Sequence, residues 1–304
     1  MVYIEYSRST RLGNWMFQYA VAKTLSKGAA VSFYVRPEYD NSHVESLLKH
    51  GNILKGISVV RRVPENCELI SDKVDFRQWK RLVLDGNYLL KGVFQLPVLF
   101  DAEMVKSLYV IPDEIDLKIK DQYGGRLLNE ESVCIHVRRG DYLRLPHRHP
   151  FVGEEYLRRA VSVFGMESMF YVCSDDIPWC KRFFTQNEFA GRRFAFVEGG
   201  TAVSDMYVTA SCRHNIISNS TFGWWGAYLN PNPQKRVIMP SRWFGVSIGR
   251  RESDAAIKAL WYPNCEVVKT GFELHMVITA LLHAAKTKVG DVLRYFGWMR
   301  KMCV

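Results

Sequence analysis

The stretch Cys134-Ile135-His136-Val137-Arg138-Arg139-Gly140-Asp141-Tyr142 decides how the second half of this chain is interpreted. The apolar run from Ser132 to Ile135 is typical of a buried strand, and it soon gives way to two arginines, a glycine and an aspartate. Guanidinium groups present fixed forks of donors, which suit a diphosphate better than a protein core. Because ligands of open α/β sheets bind beyond the carboxyl ends of the strands, we predict that Arg138 and Arg139 hold a diphosphate there.

Two adjacent arginines on their own more often belong to an ion-pair cluster on a protein surface. Here a predicted strand precedes the pair, a glycine follows it, and two further loops of matching character occur elsewhere in the chain. These three observations favour the diphosphate over the surface cluster. Asp141 would then orient one of the guanidinium groups or a substrate hydroxyl.

A second loop runs from Ser218 to Gly226, where small hydroxyl residues and glycines follow a short predicted strand. It leads into the apolar segment from Trp224 to Leu229, which predicts a helix. Backbone N–H groups and hydroxyls at the start of a helix form a natural phosphate-binding site. The alternative is an ordinary capped helix start without a ligand.

A third loop, Arg11-Leu12-Gly13-Asn14, lies between the first predicted strand and the first predicted helix, where nucleotide-binding turns occur. It lacks the GxGxxG pattern, so a dinucleotide fingerprint is unsupported. Asn14 could simply cap the helix. Alternatively, Arg11 and Asn14 could face a ligand cleft from the opposite domain.

Two aspartates and two histidines are further candidates. Asp175 and Asp176 end a predicted strand, where they could accept from a ribose or a base edge, or cap the helix that follows. His147 and His149 lie in a proline-rich loop after the arginine pair, where either could act as a general base, although most loop histidines are only solvated. No aspartate pair has DxD spacing and the loops of the second half are basic, so a metal-dependent phosphate site is not expected.

Composition places the chain among soluble globular proteins with an anionic partner. The 304 residues are 48% hydrophobic and 24% charged, and the net charge is +10. Nucleic acid is the weakest choice of partner because the charge is spread out and no binding signature occurs. No apolar run approaches the roughly 18 residues of a membrane span, and the start lacks the order of a signal peptide, so the cytoplasm is the expected compartment. The seven cysteines have no zinc-type spacing and are expected to be reduced.

Alternating strand and helix patterns predict an α/β protein with parallel sheets. A strand from Val2 to Tyr6 and a helix from Trp15 to Lys27 form the first unit, and Gly92 to Phe100 suggests another strand with a turn at Pro97. We place domains at residues 1–125 and 126–265, followed by a helical tail at 266–304.

Taken together, the three loops resemble the motifs of a known family. His136 to Tyr142 resembles the HxRRxDY motif of the α-1,2-fucosyltransferases, glycosyltransferase family 11. Leu12 to Ala20 resembles the LGNQMFQYA motif of that family, and Ser218 to Leu229 resembles its SNSTFSWWGAYL motif. The motifs occur in the order of the family, within residues 11–229. Residues 40–130 and the tail after about residue 265 carry little of the resemblance.

The resemblance implies a GT-B architecture, in which two Rossmann-like domains face each other across a cleft. Domain 1–125 would lie on the acceptor side, and domain 126–265 would bind GDP-fucose, which is a co-substrate rather than a cofactor. The reaction would be the inverting, metal-independent transfer of L-fucose to the 2-hydroxyl of a terminal β-galactoside during glycan biosynthesis.

The resemblance also implies roles for individual residues. Arg138 and Arg139 would hold the diphosphate, with Arg138 contributing most to the rate, and Ser220 and Thr221 would meet the β-phosphate. A cation is needed there because negative charge grows on the β-phosphate as the fucosyl bond breaks.

The other implied contacts concern the base, the ribose and the sugar. His136 would contact the guanine, and Asp175 or Asp176 would accept from guanine or ribose. Asn14 would lie near the anomeric carbon, with Arg11 beside it. The general base is the weakest assignment.

The candidates for the general base are Asp141, His147 and His149.

Two departures from the family pattern occur at the N-terminal motif. Arg11 has precedent in the GRFGNQ sequence of animal members and protein fucosyltransferases. Trp15 stands where the family has glutamine, which leaves acceptor specificity open.

The C-terminal tail and three other functions complete the expectations. A helix from Lys286 would place Val292, Tyr295, Phe296 and Met299 on one face, a pattern that suits docking at the inner face of a membrane, whereas the alternative is a helix packed on the protein. Alternative functions are a fucosyltransferase of another linkage, acceptor or GDP-sugar, a non-catalytic GDP-sugar-binding protein, and a basic nucleic-acid-binding protein.

Overall fold

The structure is a computed structural model that describes residues 1–50, 53–54, 56–72, 82–129, 131–146, 148–245, 258–262, 264–271 and 278. His147 and nearly all of the predicted helical tail lie outside the described residues. The chain forms two compact units, the first built mainly from Met1–Lys118 and the second beginning at Ile119. Within the described ranges, no helix has both the length and the apolar character to cross a bilayer.

The first unit contains a five-stranded sheet in the order β3-β2-β1-β5-β4, and every pair is parallel. Its strands are β1 (Val2–Glu5), β2 (Val31–Tyr34), β3 (Ser58–Val60), β4 (Glu68–Ser71) and β5 (Tyr88–Lys91). Its helices are α1 (Leu12–Leu25), α2 (Asn41–Leu48) and α3 (Ala102–Leu108), while α4 (Asp113–Tyr123) runs on into the second unit. The strand predicted within Gly92–Phe100 is wrong, since β5 ends at Lys91, whereas the predicted turn at Pro97 is confirmed by a 3₁₀ turn at Pro97–Leu99.

Helix α1 is buried on nearly all sides, which explains its continuous apolar sequence. It begins three residues earlier than predicted, because Arg11 is extended (φ −134°) and serves as the N-cap. Asn14 therefore lies in the first turn of the helix rather than in the loop before it. Lys27 and Gly28, just after the last turn of the helix, both have positive φ and prevent its continuation.

The second unit contains a six-stranded sheet in the order β11-β10-β9-β6-β7-β8, again parallel throughout. Its strands are β6 (Ser132–Val137), β7 (Met169–Ser174), β8 (Arg193–Phe196), β9 (His214–Ile216), β10 (Val237–Pro240) and β11 (Glu266–Val268). Counted within the unit, this order is that of the Rossmann fold, and the chain reverses direction across the sheet between β6 and β9. The predicted α/β class and the parallel sheets are confirmed.

The helices of the second unit cover both faces of its sheet. They are α5 (Arg126–Asn129), α6 (Gly153–Ser162), α7 (Ile177–Phe184), α8 (Ala202–Ser211) and α9 (Thr221–Leu229). Every residue of β6 is buried, as expected for a central parallel strand. Thr201 caps α8, and Ser204 completes a capping box three residues later.

Helices α8 and α9 approach closely at Gly226. A Cβ atom added at Gly226 would lie 2.7 Å from Cβ of Thr209 on α8, so this position requires glycine. The six described cysteines, at positions 67, 134, 173, 180, 212 and 265, form no disulfides with one another.

We expect Gly226→Ala to lower the free energy of unfolding by about 1–3 kcal/mol, because the added methyl group overpacks the contact with Thr209. Urea denaturation followed by far-UV circular dichroism measures this change. Ser162→Ala, at an exposed position of α6, is the control and should stay within about 0.5 kcal/mol of the unmutated chain. Equal stability of Gly226→Ala and the unmutated chain would contradict the close approach of these helices.

Candidate functional site

Three loops of the second unit leave the carboxyl ends of neighbouring strands. Arg138, Arg139 and Gly140 follow β6, Asp175 and Asp176 follow β7, and the segment 217–220 follows β9. Since β6 lies between β7 and β9, these loops meet at the point where strand order reverses, which is where open α/β sheets bind ligands. The structure thus brings the predicted second-half residues together, apart from His147.

Arg138 is held by two carboxylates and remains partly exposed. Its Nη2 lies 2.7 Å from Oδ1 of Asp141, and its Nη1 lies 3.1 Å from Oδ2 of Asp175. Asp141 therefore orients a guanidinium, as predicted. The side chain of Arg138 keeps 31% of its surface exposed, so its cationic group remains accessible to an anion.

Asp175 joins the loops that follow β6 and β7. One carboxylate oxygen pairs with Arg138, and the other accepts a hydrogen bond of 2.8 Å from the backbone N–H of Arg139. A Cβ atom added at Gly140 would lie 3.3 Å from Cγ of Asp175 and closer still to one of its oxygens. Glycine at position 140 is thus required for the two loops to approach each other.

Arg139 is held more tightly than its neighbour, with 14% of its side chain exposed. Its Nε donates to Oδ2 of Asp176 at 3.0 Å, and its guanidinium lies 3.9 Å from the ring centroid of Trp179 and 4.8 Å from that of Phe151. Asp176 also accepts from the backbone N–H of Trp179 and caps α7, so the capping alternative is found for Asp176. The two arginines are therefore not equivalent.

His136 is 5% exposed and packed within the site. Its Nδ1 lies 2.8 Å from Oγ of Ser218, and its ring stacks on Phe222 with 5.2 Å between centroids. A Cβ at Gly223 would lie 2.7 Å from that same Nδ1. Burial, assisted by the nearby Arg138, lowers the pKa of His136 to about 3, so the imidazole is neutral near pH 7 and can donate or accept one hydrogen bond.

The loop after β9 starts α9. Ser220 caps the helix by accepting from the backbone N–H of Phe222 at 3.3 Å, which is the role of an ordinary helix cap. Asn219 fixes the loop by donating to the carbonyl oxygens of Pro150 and Trp243. Thr221 is partly exposed and is the more accessible of the two predicted hydroxyl residues.

The described candidates for a general base are Asp141 and His149. His149 stacks on Tyr142 at a centroid distance of 5.0 Å, and burial lowers its pKa, an effect that the charge of Asp141 opposes. The hydroxyl of Tyr142 donates to the carbonyl oxygen of Asn219. Asp141 is about half exposed but is committed to Arg138.

Asp205 is a candidate that sequence reasoning missed. It lies in the first turn of α8 beside Gly200, and its carbonyl oxygen accepts from Sγ of Cys173 on β7. Burial raises the pKa of its carboxyl to about 6. Perturbed carboxyls next to a ligand-binding edge are functional candidates. The stretch from Gly199 to Asp205 resembles a plain helix start, so composition gave no signal.

The predicted residues of the first unit lie around the start of α1. Arg11 is exposed, and its Nη1 donates to the carbonyl oxygens of Arg8 and Thr10. Oδ1 of Asn14 accepts a hydrogen bond of 3.0 Å from Nε2 of Gln95. Trp15 is 2% exposed and donates to Oγ1 of Thr10, so it is a core residue and presents no surface to an acceptor.

We expect the stability of the protein to fall with rising pH around Asp205. The folded pKa of about 6 exceeds the ordinary aspartate pKa of 3.8, so the folded state retains a proton that the unfolded chain loses between these pH values. Asp205→Asn should therefore raise the free energy of unfolding by about 1–2 kcal/mol at pH 8, allowing for partial exposure, and leave it nearly unchanged at pH 4.

Denaturation of Asp205→Asn at both pH values, beside the exposed control Asp121→Asn, measures this effect. An equal change at pH 4 and pH 8 would show that the ionisation of Asp205 is not the cause.

Comparison with proteins of known sequence finds glycosyltransferases. The O-antigen biosynthesis glycosyltransferase WbnK of Escherichia coli is 31% identical over 54% of this chain and 58% of its own length. An alpha-1,2-colitosyltransferase of Escherichia coli is 27% identical over 77% of this chain and 89% of its own length. Galactoside 2-alpha-L-fucosyltransferase SEC1 of Bos taurus is 33% identical over 72% and 62%, respectively. The chain thus spans less than two thirds of the first and third of these relatives.

Comparison with solved structures finds the NodZ alpha-1,6-fucosyltransferase soaked with GDP-fucose, at 15% identity. The match covers 79% of this chain and 94% of that one with a TM-score of 0.48, which is too low to carry an argument. A family model carries more weight, because glycosyl transferase family 11 matches residues 100–261, just over half of the chain. That match includes the arginine pair and the loop before α9, and the chain therefore belongs to glycosyltransferase family 11.

Proposed function

We propose that this protein transfers L-fucose from GDP-fucose to the 2-hydroxyl of a terminal β-galactoside, with inversion at the anomeric carbon. The observation that carries the proposal is the accessible guanidinium of Arg138, fixed by Asp141 and Asp175 where the strand order reverses. Family membership and the galactoside 2-alpha-L-fucosyltransferase among the relatives support this choice of reaction.

Arg138 would stabilise the leaving group. As the bond between fucose and phosphate breaks, negative charge grows on the β-phosphate, and a fixed cation lowers the free energy of that state without having to reorganise. The two carboxylates hold the guanidinium in place and keep part of its surface accessible. Thr221 and the backbone N–H groups at the start of α9 would bind the same phosphate.

Arg139 would act mainly as a support for this site. Its contacts with Asp176, Trp179 and Phe151 leave little of its surface for a ligand, while its backbone N–H fixes Asp175. Removing Arg139 should therefore disturb the fold of the loop more than removing Arg138 does.

His136 and Asp205 would bind the base of the nucleotide. The neutral imidazole can make one uncharged hydrogen bond, and a carboxylate accepts well from the adjacent N–H groups of guanine. Asp205 suits this role better than Asp175 or Asp176, because both of those carboxylates already bind arginine.

The acceptor side would involve Asn14 and Arg11, with Asn14 near the anomeric carbon. Asp141 and His149 would compete for the role of general base. His149 is the better candidate of the two, because burial keeps its imidazole unprotonated and thus available, whereas Asp141 is engaged by Arg138.

A second candidate function is the transfer of a different deoxysugar. The alpha-1,2-colitosyltransferase covers more of this chain, and more of its own length, than the galactoside fucosyltransferase does. The phosphate-binding residues would serve either donor, since they contact the diphosphate and not the sugar.

We expect the protein to form 2-fucosyllactose from GDP-fucose and lactose with EDTA present. Product linkage is determined by NMR, and GDP-colitose is assayed in parallel as the competing donor. Transfer from GDP-colitose alone would select the second candidate. A lack of transfer from either donor to lactose or to a panel of β-galactosides would contradict the proposed reaction.

We expect Arg138→Ala to lower kcat by about 100-fold or more, because the cation that stabilises the departing phosphate is lost. Its melting temperature should change little, whereas Arg139→Ala should lower the free energy of unfolding by about 1–3 kcal/mol through its lost ion pair and ring contacts.

Steady-state kinetics and thermal unfolding of both variants test this division of roles. Arg182→Ala, at an exposed position of α7, is the matched control. Normal turnover in Arg138→Ala would exclude Arg138 as the group that stabilises the leaving phosphate.

A further inference from the structure

The loop after β5, defined here as residues 92–96, has an unusual backbone. Phe94 has φ of +50° and is fully buried, although bulky residues disfavour the left-handed region. Gly92 has φ of +142°. Such conformations persist where the surroundings over-determine them, and they concentrate at functional sites.

Two side chains hold the 92–96 loop in this conformation. Oδ2 of Asp72 accepts from the backbone N–H groups of Val93 at 2.6 Å and Phe94 at 3.3 Å. Nε2 of Gln18, on α1, donates to the carbonyl oxygen of Gly92 at 2.6 Å. A side chain at Gly92 would collide with the carboxylate of Asp72, so the anchor itself requires glycine.

The anchored loop delivers Gln95 to the start of α1. Its Nε2 donates to Oδ1 of Asn14 at 3.0 Å, across 81 residues of sequence. This bond occupies the oxygen of the Asn14 amide. Nδ2 of Asn14 has no hydrogen bond to any described residue and is not among the buried unpaired atoms, so its N–H groups are available to a ligand.

The surrounding amides show that this arrangement is not optimised for stability. Oε1 of Gln18 and Oε1 of Gln95 are both buried without a hydrogen-bond partner among the described residues, and Gln18 is only 1% exposed. An unpaired buried acceptor costs free energy. The strained backbone of Phe94 and the two unpaired amide oxygens occur at the same loop. This combination suggests that the loop places the Gln95 side chain at the expense of the free energy of unfolding.

We propose that Gln95 is a positioning residue, which fixes the Asn14 amide so that its N–H groups face the reacting sugar. An amide can present either a donor or an acceptor, and only the donor stabilises negative charge on an oxygen in the transition state. Gln95 selects the donor by occupying the oxygen of Asn14. This inference rests on the proposed function, in which Asn14 lies near the anomeric carbon.

The test compares Gln95→Glu, Gln95→Met and the exposed control Gln186→Glu. An ionised glutamate at position 95 cannot donate, so it would attract the N–H groups of Asn14 and turn its oxygen toward the substrate. At pH 8 we expect kcat of Gln95→Glu to fall about 10- to 100-fold, with KM for GDP-fucose changing less than about threefold.

Protonation restores the donor, so activity relative to the unmutated chain should recover as the pH is lowered toward 5. Methionine at position 95 is similar in size to glutamine but has no hydrogen-bond donor. The kcat of Gln95→Met should therefore fall by the same factor at pH 5 and at pH 8. The control should match the unmutated chain throughout.

Three outcomes overturn the inference in distinguishable ways. Suppose that Asn14→Ala, measured as a separate single variant, has a lowered kcat. Full kcat in both Gln95→Glu and Gln95→Met would then overturn the inference and leave the proposed function intact. An equal loss at pH 5 and pH 8 in Gln95→Glu, with a matching fall in melting temperature, would show a merely structural role. No fucosyl transfer by the unmutated chain would overturn the proposed function, and this inference with it.

Discussion

The site of the second unit depends on the bridging carboxylate of Asp175. One of its oxygens fixes the guanidinium of Arg138 and the other fixes the backbone of the next residue, so two neighbouring loops form one rigid edge. The bridge is possible because β6 and β7 are adjacent parallel strands in register from Ser132 to Val137. It also requires Gly140, because any side chain there would fill the space of the carboxylate.

This arrangement gives two identical neighbouring residues different environments. Arg138 pairs with two partly exposed carboxylates and keeps an accessible surface, so in the proposed function it would exchange part of this pairing for a phosphate. Arg139 is enclosed by aromatic rings and an ion pair, where removal of its charge would leave Asp176 without its partner. Adjacent positions in one loop thus have different environments.

Much of the fold followed from local sequence pattern. Strands β6, β7 and β9 of the second unit were predicted because buried parallel strands are continuous apolar runs, and the α1 helix because its apolar residues repeat at helical spacing. The arginine pair and the loop before α9 were located for the same reason, since they interrupt those runs. The connection between the arginine pair and the loop after β7 through Asp175 was not predicted, because this hydrogen bond spans 36 residues and depends on strand order.

The predictions that were wrong or missing have physical causes that cannot be seen in a short stretch of sequence. Residues 92–96 have the apolar composition of a strand. They form a loop instead, because the side chains of Asp72 and Gln18 make hydrogen bonds to their backbone groups. Trp15 occupies a motif position, yet its ring is in the core of the first unit and contacts Tyr6 and His50. Asp205 drew no attention because its environment, rather than its neighbours in sequence, raises its pKa.

The burial of His136 has a consequence for any pH-dependent measurement on this protein. An imidazole with a pKa near 3 carries no charge anywhere between pH 5 and pH 9. Histidine is nevertheless the residue to which an inflection of a pH–rate profile in that range is usually assigned. An inflection near neutrality would therefore have to be assigned to other groups, among which the Asp205 carboxyl, with its pKa of about 6, is the first to consider. In this protein, His136 therefore does not change its protonation state over that range of pH.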